Sequence, residues 1–363
     1  MTSSLAAEPA ANETVKTAFE AVYSWNYDPE IDQLRTLYAN ALEAQWIAYR
    51  ELDWETEIDR EAFSRTFSLG GIPIQETMFW KHMDPDIRWE ISRRSAAFML
   101  SNFLHGEQGA LMCAAQLVTA VPHMDGKFYA STQTMDEARH VEVFAAYINK
   151  LDEVQPIAPG LKQLLDAILE ADDWMMKAVG MNIIVEGLAL YSFRDMRNTT
   201  EEPLLKNLLT YVSRDEARHT GFGIKYLNSV VPTLTDKKRA ELEDFGFEAA
   251  RLLLDSRTGT SLRDSVLALW TEAGLDLETV FAELAKEREV LKGAVQKSGG
   301  ARGPLHNFVL PTMKAIGLLS ERIAGSFQEM FEHSNRGGYS GTVIKNISDL
   351  PDDLEAWVMS DDR

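Results

Sequence analysis

The chain has 363 residues, 45% of them hydrophobic, and sets 36 Lys and Arg against 56 Asp and Glu for a formal net charge of −20. That charge, with no local basic patch, argues against any partner with a phosphate backbone, so no nucleic acid is expected. The single cysteine, Cys113, excludes an intramolecular disulfide, a Cys-x-x-Cys zinc site and an iron–sulfur site.

Residues 1–15 are polar, Ala-rich and acidic and read as a disordered lead. No apolar run approaches the roughly 20 residues that span a bilayer, so a cytoplasmic protein without a membrane span is expected. Helical periodicity dominates, and alternating β-branched runs are nearly absent. Helices are predicted over 31–51 and 58–67, then a turn around Gly70, Gly71 and Pro73. Four long helices follow, over 87–121, 127–151, 161–197 and 200–231, the last with Thr200 as N-cap and Pro203 in its first turn. Further helices are predicted over 236–256, 261–273 and 277–296, with Gly274 as a stop. After a break at 298–303 comes a helix over 304–333, and the pair Gly337-Gly338 opens an acidic tail. The expected organisation is one helical domain over 16–334, with its core at 87–231, extra helices at 236–334 and the tail at 335–363.

A pentapeptide occurs twice. Asp136-Glu137-Ala138-Arg139-His140 recurs as Asp215-Glu216-Ala217-Arg218-His219, offset by 79 residues. Within each copy Glu and His are three apart, so a helix places them on one face, within reach of one metal ion. One such pair is usually surface charge. Here, however, Glu107 precedes Glu137 by 30 residues and Glu186 precedes Glu216 by 30. The same offset thus relates three candidate ligands in each half, as for two helix pairs about a pseudo-twofold axis. Glu107 and Glu186 both stand in apolar runs, where an unpaired carboxylate costs several kcal/mol. An ion pair inside the core could account for one of them, but hardly for both at matched spacing. Four carboxylates and two imidazoles suit iron or manganese.

This pattern resembles the ferritin-like di-iron carboxylate proteins across roughly residues 87–231. The resemblance implies an all-α four-helix bundle with a di-metal site, plus additional N- and C-terminal helices. It implies one iron held by Glu107, Glu137 and His140 and the other by Glu186, Glu216 and His219, with Glu137 and Glu216 bridging. It also implies that Asp136 and Asp215 each take the ring N–H of the opposite half's histidine, braced by Arg139 and Arg218. A Mn/Fe pair stays open beside two irons.

Within that superfamily, the length departs from ferritins and the cysteine count from rubrerythrins. Phe144 stands where ribonucleotide reductase small subunits carry their radical tyrosine, and Tyr147 is a turn further on. Plant-type desaturases have a longer first Glu-to-Glu interval. Val212 stands where arylamine N-oxygenases carry a seventh, histidine ligand. The doubled pentapeptide looks most like the catalytic subunits of bacterial multicomponent monooxygenases and acyl-CoA epoxidases, although Leu190 replaces the monooxygenases' threonine. The expectation is an oxygenase or oxidase that takes dioxygen as co-substrate and oxidises a small organic substrate. An external reductase or ferredoxin supplies the electrons, and the protein is a homodimer. Ala110, Phe144 and Leu190, each one turn from a ligand, are the candidate pocket residues. A small-subunit-like role, a substrate-free iron oxidase or peroxidase, and a non-catalytic interaction protein are the alternatives.

Overall fold

The computed structural model describes residues 15–17, 20–66, 73–258, 260–297, 304–336 and Val358. Most of the predicted lead, the Gly70–Gly71 turn, the break at 298–303 and, Val358 apart, the tail from 337 lie outside them. Every regular element among the described residues is a helix. None of these helices is long and apolar enough to cross a membrane.

Short helices come first: α1 (Asp32–Glu43), α2 (Ala48–Glu51), α3 (Arg60–Thr66) and α4 (Met78–Lys81). The bundle is built on α5 (Pro85–Ala120), α6 (Met124–Leu151), α9 (Glu186–Thr199) and α10 (Pro203–Val230). Between α6 and α9 lie α7 (Pro159–Glu170), α8 (Trp174–Ala178) and a π-helical segment, Val179–Val185. Beyond the bundle are α11 (Asp236–Thr258), α12 (Thr260–Glu272), α13 (Leu277–Lys286) and α14 (Arg288–Lys297). A second π-helical segment, Leu305–Val309, then leads into α15 (Leu310–Ala315) and α16 (Glu321–Arg336).

Local chemistry sets the boundaries. Asp84 caps α5 by accepting the N–H groups of Asp86 and Ile87, with Pro85 as the first helical residue. At α10 the cap is Glu202, which accepts the N–H groups of Leu204 and Leu205, and not Thr200, whose hydroxyl accepts the N–H of Glu202 instead. The helix predicted over 161–197 is broken at 171–173. Asp173 starts a new helix by capping Met175, and the buried Lys177 ammonium donates to the carbonyls of Ile168 and Leu169 that end α7. Gly274 does end α12, with φ +87°. Gly317, at φ +74°, breaks the helix predicted over 304–333.

Consecutive helices α5 and α6 pack as one pair, α9 and α10 as the other, and α6 meets α10 at the seam. Helix α1 lies across α6 and α10, burying Leu34, Leu37 and Ala41 from one face. Asp125 on α6 anchors its start, accepting the N–H groups of Glu30 and Ile31 and pairing with Arg35 at 2.8 Å. Thus fixed, α1 delivers Gln45 and Trp46 over the middle of the bundle.

Gly187 marks the tightest approach. A Cβ there would overlap the ring of Phe308, so the second π-helical segment can sit against α9 only if residue 187 lacks a side chain. Gly187→Ala is expected to destabilise the protein by about 1–3 kcal/mol through overpacking. Urea denaturation checks this, and unchanged stability would mean Phe308 moves aside at no cost.

Candidate metal centre

Helices α5, α6, α9 and α10 each bring acidic side chains to one buried point. Glu107, Glu137, His140, Glu186, Glu216 and His219 are all buried and meet there. Nδ1 of His140 lies 3.1 Å from Glu107, 3.3 Å from Glu137 and 3.1 Å from Glu216. Nδ1 of His219 lies 3.2 Å from Glu186, 3.0 Å from Glu137 and 3.8 Å from Glu216. Glu137 and Glu216 therefore face both histidines, whereas Glu107 and Glu186 each face one. Donor atoms of Glu137, His140, Glu216 and His219 all fall within 4.8 Å of one another.

The far side of each ring is held across the seam. Nε2 of His140 is 3.1 Å from Asp215, and Nε2 of His219 is 3.3 Å from Asp136. With the ring proton donated there, each Nδ1 carries a lone pair that points at carboxylate oxygens. Such an array repels itself without a cation in its midst. Glu137 Oε2 and Glu216 Oε1 are buried with no hydrogen bond of acceptable geometry, as expected of atoms aimed at a metal. The donors are imidazole nitrogen and carboxylate oxygen only, a set that suits iron or manganese.

Electrostatics agree. Burial, then the charges of neighbouring carboxylates, pushes Glu107 and Glu186 well above the ordinary carboxylate range. Burial opposes charge on His140, yet Asp215, Glu107, Glu137 and Glu216 outweigh it and hold the imidazole well above its usual value. Left to itself, the cluster thus traps protons; two divalent ions would displace them and neutralise four carboxylates.

A buried scaffold surrounds the cluster. Arg139 bonds Asp136 at 2.5 Å and Asp215 at 3.0 Å, and Arg218 bonds Asp215. Gln45 reaches Asp136 at 2.9 Å, the Trp46 indole N–H reaches Asp215 at 2.8 Å, and Arg139 stacks over that indole. Gln45 and Trp46 carry no motif, and nothing in their local sequence points to the site.

Gln133 and Asn182 were within reach of sequence reasoning. Asn182 stands in the same apolar run as Glu186, four residues ahead of it. Its amide donates to Gln133, whose own amide donates to Glu186 at 2.8 Å and Glu137 at 3.2 Å. The π-helical segment carries Asn182 here, so close to Gly223 that a Cβ on that glycine would stand 2.6 Å from Asn182 Cβ.

The two halves differ. The 79-residue offset relates Gln133 to Val212, Phe103 to Asn182 and Phe144 to Gly223. The Glu186–His219 side thus carries the amides of Gln133 and Asn182, and the positions that the offset relates to them, Val212 and Phe103, are apolar. Phe144 and Val212 are fully buried, and Phe193 lies 5.3 Å from Phe144 and 4.8 Å from Phe103. Ala110 and Leu190 are buried too, but they pack in the other apolar cluster, apart from Phe144.

A family model described as p-aminobenzoate N-oxygenase AurF matches residues 29–263, well over half of the chain. Solved structures similar to the chain include an R2-like ligand-binding oxidase with a metal cofactor after photoconversion. It is 18% identical over 72% of this chain and 92% of that one, with a TM-score of 0.45. The same oxidase with an aerobically reconstituted Mn/Fe cofactor is 20% identical over 74% and 93%, with a TM-score of 0.44. No curated protein matches.

Proposed function

The chain belongs to the p-aminobenzoate N-oxygenase AurF family of ferritin-like di-iron carboxylate enzymes, and from that premise we propose an oxygenase that oxidises a small organic substrate with electrons from a separate reductase. The observation that carries this reading is the twofold cluster in which Glu137 and Glu216 each face both histidines. The resemblance to monooxygenases and epoxidases holds at the level of the di-iron carboxylate class. The narrower branch is the N-oxygenase one, against which Val212 counts in the sequence, and arylamines become the first substrates to screen. The apolar Val212 leaves this chain with six ligands and a greasier wall.

In this reading Glu107, Glu137 and His140 would hold one ion and Glu186, Glu216 and His219 the other, with Glu137 and Glu216 facing both positions. Two iron ions, or a Mn/Fe pair, would supply dioxygen binding and activation once reduced. The protein's part is positional. Asp136 and Asp215 keep each histidine's Nδ1 free for the metal, and Gln133 steadies Glu186 and Glu137. The buried apolar wall excludes water from the reacting face. All six ligands are in place, which counts against a silent interaction protein. The helices beyond the bundle are our candidates for a homodimer contact, and gel filtration giving only monomer would remove it.

The test is aerobic turnover of an arylamine panel by iron-loaded protein with a chemical or enzymatic reductant. A product containing an oxygen atom from labelled dioxygen supports the reading. Rapid ferrous oxidation and peroxide turnover with no product from any substrate would favour a substrate-free oxidase. For the pocket, Phe144→Ala on one side and Ala110→Phe with Leu190→Phe in the other apolar cluster are alternatives, and only one of the two sets is expected to change KM or product ratio several-fold with metal content unchanged. Turnover indifferent to all three would place the pocket elsewhere.

A further inference from the structure

One column of aromatic side chains has no part in metal or substrate binding as described. Tyr129 lies on α6 two turns before Glu137, and its ring stacks on Phe222, one turn past His219 on α10, at 4.6 Å between centroids. Phe222 is 5.5 Å from Tyr226, and Tyr226 stacks on Trp174 at 4.5 Å. Tyr129, Phe222 and Tyr226 are fully buried, whereas Trp174 is partly exposed. The two phenols differ in one respect. The Tyr129 hydroxyl has no hydrogen-bond partner, while the Tyr226 hydroxyl lies 2.9 Å from Nδ1 of His123.

We propose that this column drains oxidising equivalents from the metal centre to the surface, with Tyr226 as the resting point and Trp174 as the exit. The proposal rests on the oxygenase reading, since dioxygen reacting at the centre without substrate is the source of the oxidant. In the first step Tyr226 gives one electron to the oxidised centre and its phenolic proton to Nδ1 of His123. The products are a neutral phenoxyl radical and an imidazolium, so the buried ring never carries a charge. In the second step Trp174 gives an electron to Tyr226, which recovers its proton from His123. The oxidised indole is then reduced by an external one-electron donor of the thiol class. Electrons pass inward singly, and the proton returns to where it began.

Each member has the chemistry its place needs. Tyr129 has no base for its proton, and a buried phenol cation is costly, so Tyr129 and Phe222 shorten the gap without being oxidised. Phenols and indoles yield electrons only to strong oxidants. The low-potential electrons that reduce the metals therefore enter by another route, and the column works only when the centre is oxidising.

Iron-loaded protein, chemically reduced and mixed with dioxygen without substrate, is freeze-quenched for iron oxidation state and EPR. After repeated cycles, peptide mass spectrometry maps the oxidised residues. Wild type is expected to show a tyrosyl radical and oxidation products at Trp174. Tyr226→Phe, which keeps the stacked ring, is expected to lose the radical and shift oxidation to the ligand-bearing peptides. Trp174→Phe is expected to lengthen the radical lifetime several-fold. The rate of iron oxidation is expected to stay the same in both variants. Oxidised iron with no radical in wild type, or with a radical and oxidation map unaltered by Tyr226→Phe, overturns the column alone. Iron that dioxygen does not oxidise removes the oxygenase reading and the column with it.

Discussion

Elemental analysis of protein grown with iron is expected to give about two metal ions per chain, and the Glu137→Ala/Glu216→Ala variant is expected to retain none. These two carboxylates face both histidines, so their loss removes a donor from each metal position at once. Stability should fall on both counts. Without metal, and against the opposition of burial, the histidines hold Glu137 and Glu216 below the ordinary carboxylate range. The variant strips His140 and His219 of these stabilising partners, and its apo form is expected to be less stable than apo wild type. With metal at a hundredfold excess over Kd, wild type gains about 2.7 kcal/mol for each ion bound and the variant nothing. Thermal unfolding with and without ferrous iron separates these effects. Wild type that stays metal-free after anaerobic iron reconstitution would reduce the cluster to a proton-sharing core of buried ion pairs.

The convergence of these six side chains is unusually legible because duplication leaves a redundant record. One Glu-x-x-His on a helix is ordinary surface chemistry, but the shared offset between Glu107–Glu137 and Glu186–Glu216 requires four helices to converge. Long helices were readable for a related reason: apolar faces repeated over many turns outvote any single residue. Their ends were less so. The break at 171–173 depends on the Lys177 ammonium reaching two carbonyls, and on Asp173 capping Met175, contacts that no periodicity encodes. The split of the segment over 31–51 has the same origin. Trp46 and Gln45 leave the helical path because their partners are Asp215 and Asp136, 169 and 91 residues away. Such residues are fixed by tertiary geometry, and only the folded chain shows them. The difference between the two halves was present in the sequence, in Gln133 against Val212 and Asn182 against Phe103. It takes on meaning only once the offset is known to be spatial.

Asp215→Asn is expected to destabilise the protein by about 3–5 kcal/mol, the range for breaking a buried ion pair from one side, and to weaken metal binding by about 10- to 100-fold. The carboxylate takes four donors: Trp46 at 2.8 Å, Arg139 at 3.0 Å and His140 at 3.1 Å on one oxygen, and Arg218 on the other. Burial opposes its charge, but His140, Arg218 and Arg139 outweigh it and hold the carboxyl far below its ordinary range. Asparagine keeps the volume, removes the charge and turns an N–H pair toward groups that are themselves donors. Two guanidinium groups then share one fewer anion in a dry site, and His140 loses the acceptor that fixes its tautomer. Trp46→Phe separates the charge from the rest, because it deletes a neutral donor and trims the ring under Arg139 but leaves Asp215 ionised, and it is expected to cost less than Asp215→Asn while sparing the metal. Asp136→Asn should resemble Asp215→Asn at the other histidine. It should be milder, because Arg139 retains Asp215. Urea denaturation of the apo forms and competitive iron titration of the three variants test the ordering. If Asp215→Asn matched wild type in both measurements, the cross-seam bond to His140 would be packing alone, and control of the histidine tautomer would have to lie elsewhere.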